Sequence, residues 1–148
     1  MPEVLFICTG NFYRSRFAEA VFNYHCSKNG IPWSAFSRGL AIHMVEGDLS
    51  PHAEFQLKLL DIPRSFTPGP REYLSEANME RAEITIALDH REHYPMMANQ
   101  FPEWQERITY WDAQDTHLED PDYALIKIEK HVRELIEELA QSREPVEV

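Results

Sequence analysis

The chain of 148 residues is 43% hydrophobic and carries 25 Asp and Glu against 14 Lys and Arg, a formal net charge of -11. This length and composition predict one globular domain over residues 1–148 and exclude a disordered chain or one that depends on disulfides. So acidic a surface opposes general binding to nucleic acid or to an anionic membrane, and an anionic substrate therefore requires a small, locally positive pocket.

The two cysteines, Cys8 and Cys26, indicate a reducing compartment. They are too few for a disulfide framework and do not stand at a metal-binding spacing. The apolar run that follows Glu3 is too short for a signal peptide or a membrane span. We therefore expect a cytoplasmic protein, in which a cysteine can act as a thiolate.

The first half of the chain alternates predicted strands and helices. The apolar run over residues 4–8 predicts a buried strand, and helical spacing follows over 15–28 until an Asn-Gly pair ends it. Residues 35–37 predict a second strand. A helix begins at residue 50, with serine as its cap and proline in its first turn, and ends near 61. The segment 63–71 is rich in proline and predicts a loop.

The second half continues the alternation. A short helix is predicted over residues 75–81, followed by a buried strand over 84–88 and a fourth strand over 108–111. A long terminal helix has an apolar face made by Leu125, Ile128, Val132, Leu135, Ile136 and Leu139.

Strands that alternate with helices predict an α/β fold: a doubly wound, four-stranded parallel sheet flanked by helices on both faces. In such sheets ligands bind beyond the carboxyl ends of the strands. Cys8 stands at that end of the first predicted strand.

The segment from Cys8 to Ser15, CTGNFYRS, lies between the first predicted strand and the first predicted helix. A loop in this position directs backbone N–H groups at an anion, and the following helix adds the positive end of its dipole. Such surroundings stabilise a thiolate, so we predict that Cys8 is a nucleophile. The alternative is a buried cysteine at the end of a strand, a common structural role. The strand–loop–helix context favours the nucleophile.

The other residues of this segment are predicted to bind or brace a phosphate. Arg14 closes the loop with a planar fork that can hold two phosphate oxygens. Gly10 allows a tight turn, and Asn11 tolerates the left-handed conformation that such a loop requires. The Ser15 hydroxyl is expected to hydrogen-bond the thiolate and to cap the helix. The predicted phosphate-binding loop is completed by Thr9, Phe12 and Tyr13.

Attack by a thiolate on a phosphate ester requires an acid that protonates the leaving oxygen. Asp120, which Pro121 follows just before the terminal helix, is the candidate. The alternative role for an aspartate in this position is an ordinary helix cap, with proline in the first turn.

Several segments together resemble the low-molecular-weight protein tyrosine phosphatase family along nearly the whole chain. VLFICTGNFYRSRFAEAVF resembles the family's opening strand, phosphate loop and first helix, and Ser37-Arg38-Gly39 resembles its Ser-Ala-Gly stretch. IALDHREHY resembles the third strand with the acidic turn after it, and LEDPDYA resembles the Asp-Pro acid loop.

The resemblance implies Cys8 as nucleophile, Arg14 as phosphate clamp, and Asp120 as the general acid that later activates water. It implies a phosphotyrosine protein or a small aryl phosphate as substrate, and neither a metal nor an organic cofactor. The residues that it places among the hydrogen bonds bracing the loop are Asn11, Ser15 and Ser37.

The chain also departs from the family's pattern. Tyr13 stands where many eukaryotic members carry a second cysteine, and Arg16 replaces the usual proline. Asp122 occupies the first of two positions that are aromatic in many members and line the entrance, and Tyr123 keeps the second. His43 is a candidate for the pocket rim or a plain loop histidine. These departures leave the chemistry intact and the physiological substrate open.

The remaining signals favour structural roles. His90 and His93 allow a metal site, but no third ligand is evident and a solvated helix start is the favoured interpretation. Cys26 fits the apolar face of the first helix and is expected in the core. The residues from Pro145 onward are expected to be a frayed tail.

The sequence leaves two alternatives to the phosphatase. An arsenate reductase-like enzyme shares this fold and loop but needs further cysteines to relay a disulfide, and only Cys26 is available. A catalytically weak phosphoprotein-binding module would more naturally lack Cys8, Arg14 or Asp120, all of which are present. The sequence therefore favours a cysteine-dependent protein tyrosine phosphatase.

Overall fold

The computed structural model describes residues 1–142, so the tail expected from Pro145 onward lies outside the described residues. No helix within residues 1–142 is long and apolar enough to cross a membrane.

The sheet has four parallel strands in the order β2-β1-β3-β4. They are β1 Glu3–Cys8, β2 Ser34–Gly39, β3 Ile84–Ala87 and β4 Thr109–Tyr110. The apolar run of β1 is buried because strands pair with it on both sides and helices cover both of its faces. The chain moves outward from β1 in one direction to β2 and in the other to β3. The carboxyl end of β1, where Cys8 lies, is therefore the switch point at which such sheets bind ligands.

Five helices cover the sheet: α1 Arg14–Lys28, α2 Pro51–Leu59, α3 Glu76–Arg81, α4 His90–Gln100 and α5 Pro121–Ser142. Alternate residues of β1 face opposite ways, so Val4 and Phe6 share a core with α1 and α5, while Leu5 and Ile7 share one with Met79 of α3 and Met97 of α4. This confirms the predicted doubly wound sheet with helices on both faces.

Most predicted elements are observed, with three differences. The fourth strand is only two residues long, because only Thr109 and Tyr110 pair with β3. The segment 63–71 contains a single 3-10 turn, Arg64–Phe66, within the predicted loop. The helix start expected near Asp89 continues as α4 through Pro95. The sequence did not predict the full helix, because a proline inside a helix usually breaks it.

Candidate active site

The loop between β1 and α1 turns several carbonyl groups outward. Their donors lie at 2.8–3.1 Å: Arg71 for Gly10, Ala41 for Thr9, and Ser50 for Phe12. In a planar trans peptide the C=O of one residue and the N–H of the next point in opposite directions. The N–H groups that follow these carbonyls therefore point to the concave side of the loop. The first turn of α1 adds further N–H groups that can bind an anion. Within residues 1–142, the side chain of the N-cap residue Tyr13 makes no hydrogen bond to them.

Cys8 lies in this loop with its thiol against a hydroxyl. It is 2% exposed, and its Sγ is 2.9 Å from the Ser15 Oγ. Asn11 Nδ2 donates to the same hydroxyl at 3.0 Å, so the hydroxyl is free to donate to sulfur. Asn11 has φ of 50°, the left-handed conformation expected from the sequence. Ser15 lies inside α1, so the expectation that it caps the helix is wrong.

Behind the loop, a chain of buried polar groups continues from Asn11. Its Nδ2 donates to the Ser37 Oγ at 2.9 Å, and that hydroxyl donates to Glu19 Oε1 at 2.5 Å. Thr67 Oγ1 also donates to Glu19 Oε1, at 3.0 Å, and itself accepts from Arg16 Nε at 2.7 Å. The arginine that replaces the family's proline thus anchors the 63–71 loop to the first turn of α1.

Glu19 is expected to make stability depend on pH. Burial raises the pKa of this carboxyl, and hydrogen bonds from Ser37 and Thr67 oppose the shift only in part. As pH rises above the ordinary glutamate range, the unfolded chain ionises first, so the native state loses stability until the higher folded pKa is passed. Glu19→Gln keeps an acceptor oxygen and removes this loss. We expect it to stabilise the protein more at pH 7 than at pH 4.

Denaturant unfolding at both pH values measures this difference. Glu103→Gln, which removes a carboxylate from an exposed position, is the matched control. A Glu19→Gln effect that is the same at both pH values, or that favours pH 4, contradicts a raised pKa for Glu19.

Arg14 is buried, and its guanidinium faces a carboxylate that the sequence did not indicate. Nη2 is 2.8 Å from Glu92 Oε2, and Nη1 is 3.2 Å from Glu92 Oε1. Nη1 also donates to the Ala113 carbonyl at 2.9 Å, and the Asp115 carboxylate lies 3.9 Å from Nη2. Both terminal nitrogens of Arg14 are thus bound by protein acceptors. The edge of the guanidinium that carries Nε faces a different direction from these contacts.

Glu92 is in turn surrounded by donors. Besides Arg14, the Thr9 hydroxyl donates to Oε2, and His93 Nε2 lies 3.1 Å from it. Burial alone raises the pKa of Glu92, but hydrogen bonds from His93 and Arg14 outweigh it and hold that pKa well below its usual range. Glu92 is therefore ionised at neutral pH.

His93 is fully buried, which corrects the expectation of a solvated helix start. Its Nδ1 accepts from the Asp89 N–H at 3.0 Å, so the ring proton is on Nε2, which faces Glu92 and Thr9. Burial lowers the pKa of His93 although Glu92 favours its charged form. The imidazole therefore serves Glu92 as a neutral donor.

The metal alternative is not supported by the arrangement of the two histidines. His90 stacks on Tyr94 with ring centroids 4.7 Å apart, while His93 faces the loop. Within residues 1–142 no three His, Cys, Asp or Glu side chains are grouped to hold a metal ion.

The predicted acid lies where the chain enters α5. Asp120 is exposed, and its Oδ1 accepts from the Asp122 N–H at 2.9 Å, which is the hydrogen bond of a helix cap. Tyr13 Oη donates to the Pro121 carbonyl at 3.3 Å and so links the loop after β1 to the start of α5. Asp120 is thus a cap by its observed contact, and its chain neighbour Pro121 is held by Tyr13.

The predicted rim residues are all exposed. His43 lies in the 3-10 turn Ile42–Met44, where its Nδ1 is 2.6 Å from the Tyr73 hydroxyl. Asp122 and Tyr123 are in the first turn of α5. The cavity beside the loop has a volume of about 660 Å³, and the residues that line it include Thr9, Met44, Glu92, Met96, Asp115 and Leu118. His43 does not line this cavity, although its neighbour Met44 does.

Sequence reasoning missed the roles of three residues at the site. Glu92 and His93 carried a single signal, their place just beyond the carboxyl end of a buried strand. Arg71 binds the carbonyls of the loop and of the turn beside it, and nothing in the sequence distinguished it from a surface arginine. At Gly10 the structure adds a packing constraint, because a Cβ there would overlap the Val45 side chain.

The chain and its fold are similar to those of known phosphatases. The family model for low molecular weight phosphotyrosine protein phosphatase matches residues 3–143. A curated relative, a protein-arginine-phosphatase of Bacillus subtilis (strain 168), is 30% identical over 141 residues, 93% of this chain and 91% of the relative. A low molecular weight protein tyrosine phosphatase from T. tengcongensis superposes with a TM-score of 0.78 at 26% identity, covering 93% of this chain and 99% of that one. YfkJ from Bacillus subtilis superposes with a TM-score of 0.80 at 19% identity, covering 97% of this chain and 98% of that one. At this identity the similarity shows a shared fold alone.

Proposed function

Because the chain belongs to the low-molecular-weight phosphotyrosine protein phosphatase family, we propose that it hydrolyses phosphotyrosine-type phosphomonoesters through a phosphocysteine at Cys8. The observation that carries the proposal is the Cys8 thiol, 2.9 Å from the Ser15 hydroxyl in a loop whose N–H groups point inward and whose far end is Arg14. A hydroxyl donor and inward N–H groups stabilise a thiolate, and a thiolate is the nucleophilic form.

In the first step the Cys8 thiolate attacks phosphorus and forms the P–S bond while the P–O bond to the substrate breaks. The leaving oxygen takes the electron pair of that bond and a proton from Asp120. Loop N–H groups, the start of α1 and the Nε edge of Arg14 bind the oxygens of the transferred phosphoryl group.

In the second step Asp120, now a carboxylate, takes a proton from a water molecule that attacks phosphorus. The P–S bond breaks, and its electron pair returns to Cys8 as a thiolate. The Ser15 hydroxyl, oriented by Asn11, stabilises that thiolate as the leaving group. The reaction releases inorganic phosphate and restores the enzyme, and we place it in the reducing cytoplasm because the thiolate must survive.

Phosphoarginine is a second candidate substrate, and two observations favour it. A relative that is 30% identical is a protein-arginine-phosphatase. The Asp115 carboxylate, 3.9 Å from Arg14, is 37% exposed at the cavity beside the loop, where it can meet the guanidinium of a phosphorylated arginine. The apolar part of that cavity, formed by Met44, Met96 and Leu118, suits an aromatic ring and supports phosphotyrosine as the first candidate.

Initial rates on one peptide carrying phosphotyrosine, phosphoserine or phosphoarginine at the same position test the proposal. We expect the highest kcat/KM for phosphotyrosine, with Cys8→Ser protein as the blank for contaminating phosphatases. A higher kcat/KM for phosphoarginine would establish the second candidate instead. Binding of inorganic phosphate without hydrolysis of any peptide would leave a phosphoprotein-binding module.

An arsenate reductase-like activity is not favoured by the structure. Such a relay needs a second thiol that can reach Cys8. Cys26 is 1% exposed inside α1, and burial raises its pKa to about 12. A thiol that remains protonated and inaccessible does not attack a sulfur or arsenic centre.

Asp122 is expected to shape substrate preference at the entrance. Its carboxylate repels a phosphate group and acidic peptides, whereas an aromatic ring there would contribute roughly 0.5–1.5 kcal/mol by stacking on phosphotyrosine. Asp122→Tyr should therefore lower KM for aryl phosphates and acidic phosphopeptides with little change in kcat. Wild type should prefer basic peptides, and salt should weaken that preference.

Steady-state kinetics on matched acidic and basic phosphopeptides measure the preference. Asp122→Asn removes the charge without adding a ring, which separates the two effects. If wild type and both variants rank the peptides alike, Asp122 serves only the positive end of the α5 dipole.

A further inference from the structure

We propose that Glu92 is a positioning residue that aligns Arg14 for phosphoryl transfer and, as its counterion, weakens the binding of phosphate in the ground state. The inference rests on the proposed function, since it concerns the same phosphate site. It assigns a role to a residue that the sequence analysis did not include among the site residues.

The first argument is the geometry of the pair. Both carboxylate oxygens of Glu92 face the two terminal nitrogens of Arg14, at 3.2 and 2.8 Å, and the Ala113 carbonyl accepts from Nη1 at 2.9 Å. A two-point contact fixes the plane of a guanidinium as well as its position. With its terminal nitrogens bound, Arg14 presents its Nε edge in one orientation.

The second argument is that Glu92 is itself held by two other residues. The Thr9 hydroxyl donates to it from the loop after β1, and Nε2 of His93, the next residue of the same helix, lies 3.1 Å away. His93 is fully buried and receives the Asp89 N–H on its other nitrogen, so its ring cannot rotate without losing that bond. The carboxylate is therefore a rigid support, because groups on α4 and on the loop both fix it.

The third argument is charge. A thiolate at Cys8 and the Arg14 guanidinium cancel, so the ionised Glu92 adds one uncompensated negative charge to the site. Such a site attracts a phosphate dianion less than a neutral one does. A fixed Arg14 contributes more once charge spreads over the transferring phosphoryl oxygens, because a preorganised donor need not move during the reaction. Glu92 thus favours the transition state over the bound ground state.

Glu92→Gln tests both parts of the proposal. It keeps the length of the side chain and one acceptor oxygen but removes the charge. We expect kcat for p-nitrophenyl phosphate to fall about 10- to 100-fold, because Arg14 loses its fixed orientation. We expect inorganic phosphate, measured by calorimetry, to bind about 3- to 10-fold more tightly, because Arg14 is no longer neutralised.

Glu103→Gln is the control, since it changes the net charge equally at an exposed position in the 3-10 turn Pro102–Trp104. It should leave kcat and phosphate affinity as in wild type. A residue that merely stabilised the fold would lower the unfolding temperature and would not tighten phosphate binding.

The outcomes separate the inference from the proposed function. An active wild type whose Glu92→Gln variant keeps its kcat, or binds phosphate no more tightly, overturns the role of Glu92. A higher kcat would show that Glu92 obstructs the site, which also overturns it. A wild type that binds phosphate but hydrolyses no ester overturns the proposed function alone.

If Glu92→Gln does not fold, Thr9→Val tests the positioning role with a smaller change. It removes the hydroxyl that donates to Glu92 and keeps the volume of the side chain. Glu92 keeps its charge in this variant, so we expect a lower kcat with phosphate affinity as in wild type, and an unchanged kcat overturns the proposal.

Discussion

Replacing Cys8 by serine is expected to abolish turnover while the site still binds inorganic phosphate. The serine hydroxyl is not ionised at neutral pH, so the rate should fall by at least about 10³-fold. Phosphate affinity should persist because the loop N–H groups and Arg14, rather than sulfur, provide the attraction. Loss of a thiolate beside the phosphate should strengthen binding, since one negative charge is removed.

Steady-state rates with p-nitrophenyl phosphate and calorimetric titration with phosphate measure the two effects. Cys26→Ala is the control, because this buried thiol lies in the core and takes no part in the proposed reaction. Arg14→Ala should lose both binding and rate. Substantial hydrolysis by Cys8→Ser would show that the reaction does not pass through a phosphocysteine.

The second large effect is expected at Asp120, where the structure allows the two roles of the carboxylate to be separated. Asp120→Asn keeps an oxygen that can accept from the Asp122 N–H and so keeps the cap of α5, but it has no proton to donate. For phenyl phosphate, a poor leaving group, we expect a rate loss of about 10²–10⁴-fold. The loss should shrink for esters with very acidic leaving groups, which depart without a proton.

Asp120→Ala completes the comparison because it removes both the acid and the cap. It should match Asp120→Asn in rate and, in addition, lose about 1 kcal/mol of stability in denaturant unfolding. An equal rate loss for all leaving groups, or a normal rate in Asp120→Asn, would show that Asp120 acts only as a helix cap.

The motif from Cys8 to Ser15 and the central sheet were predictable because their signals are local. The apolar run of β1 is contiguous, and the motif occupies eight consecutive residues. Asn11 adopts the left-handed conformation that its side chain tolerates without help from distant residues. Alternation of strands and helices leaves few topologies, so the parallel sheet follows as well.

The support of the site was decided by the tertiary structure alone. Glu92 lies 78 residues from Arg14 in a polar segment that, by its neighbours in sequence, predicts a solvent-facing helix start. Only the folding of α4 against the carboxyl end of the sheet brings that carboxylate to the buried guanidinium and buries His93 beneath it. Local patterns specify which residues form a loop or a helix. The partner of a buried charge depends on which elements pack together, because its desolvation is compensated only by groups that the whole fold brings within hydrogen-bonding distance.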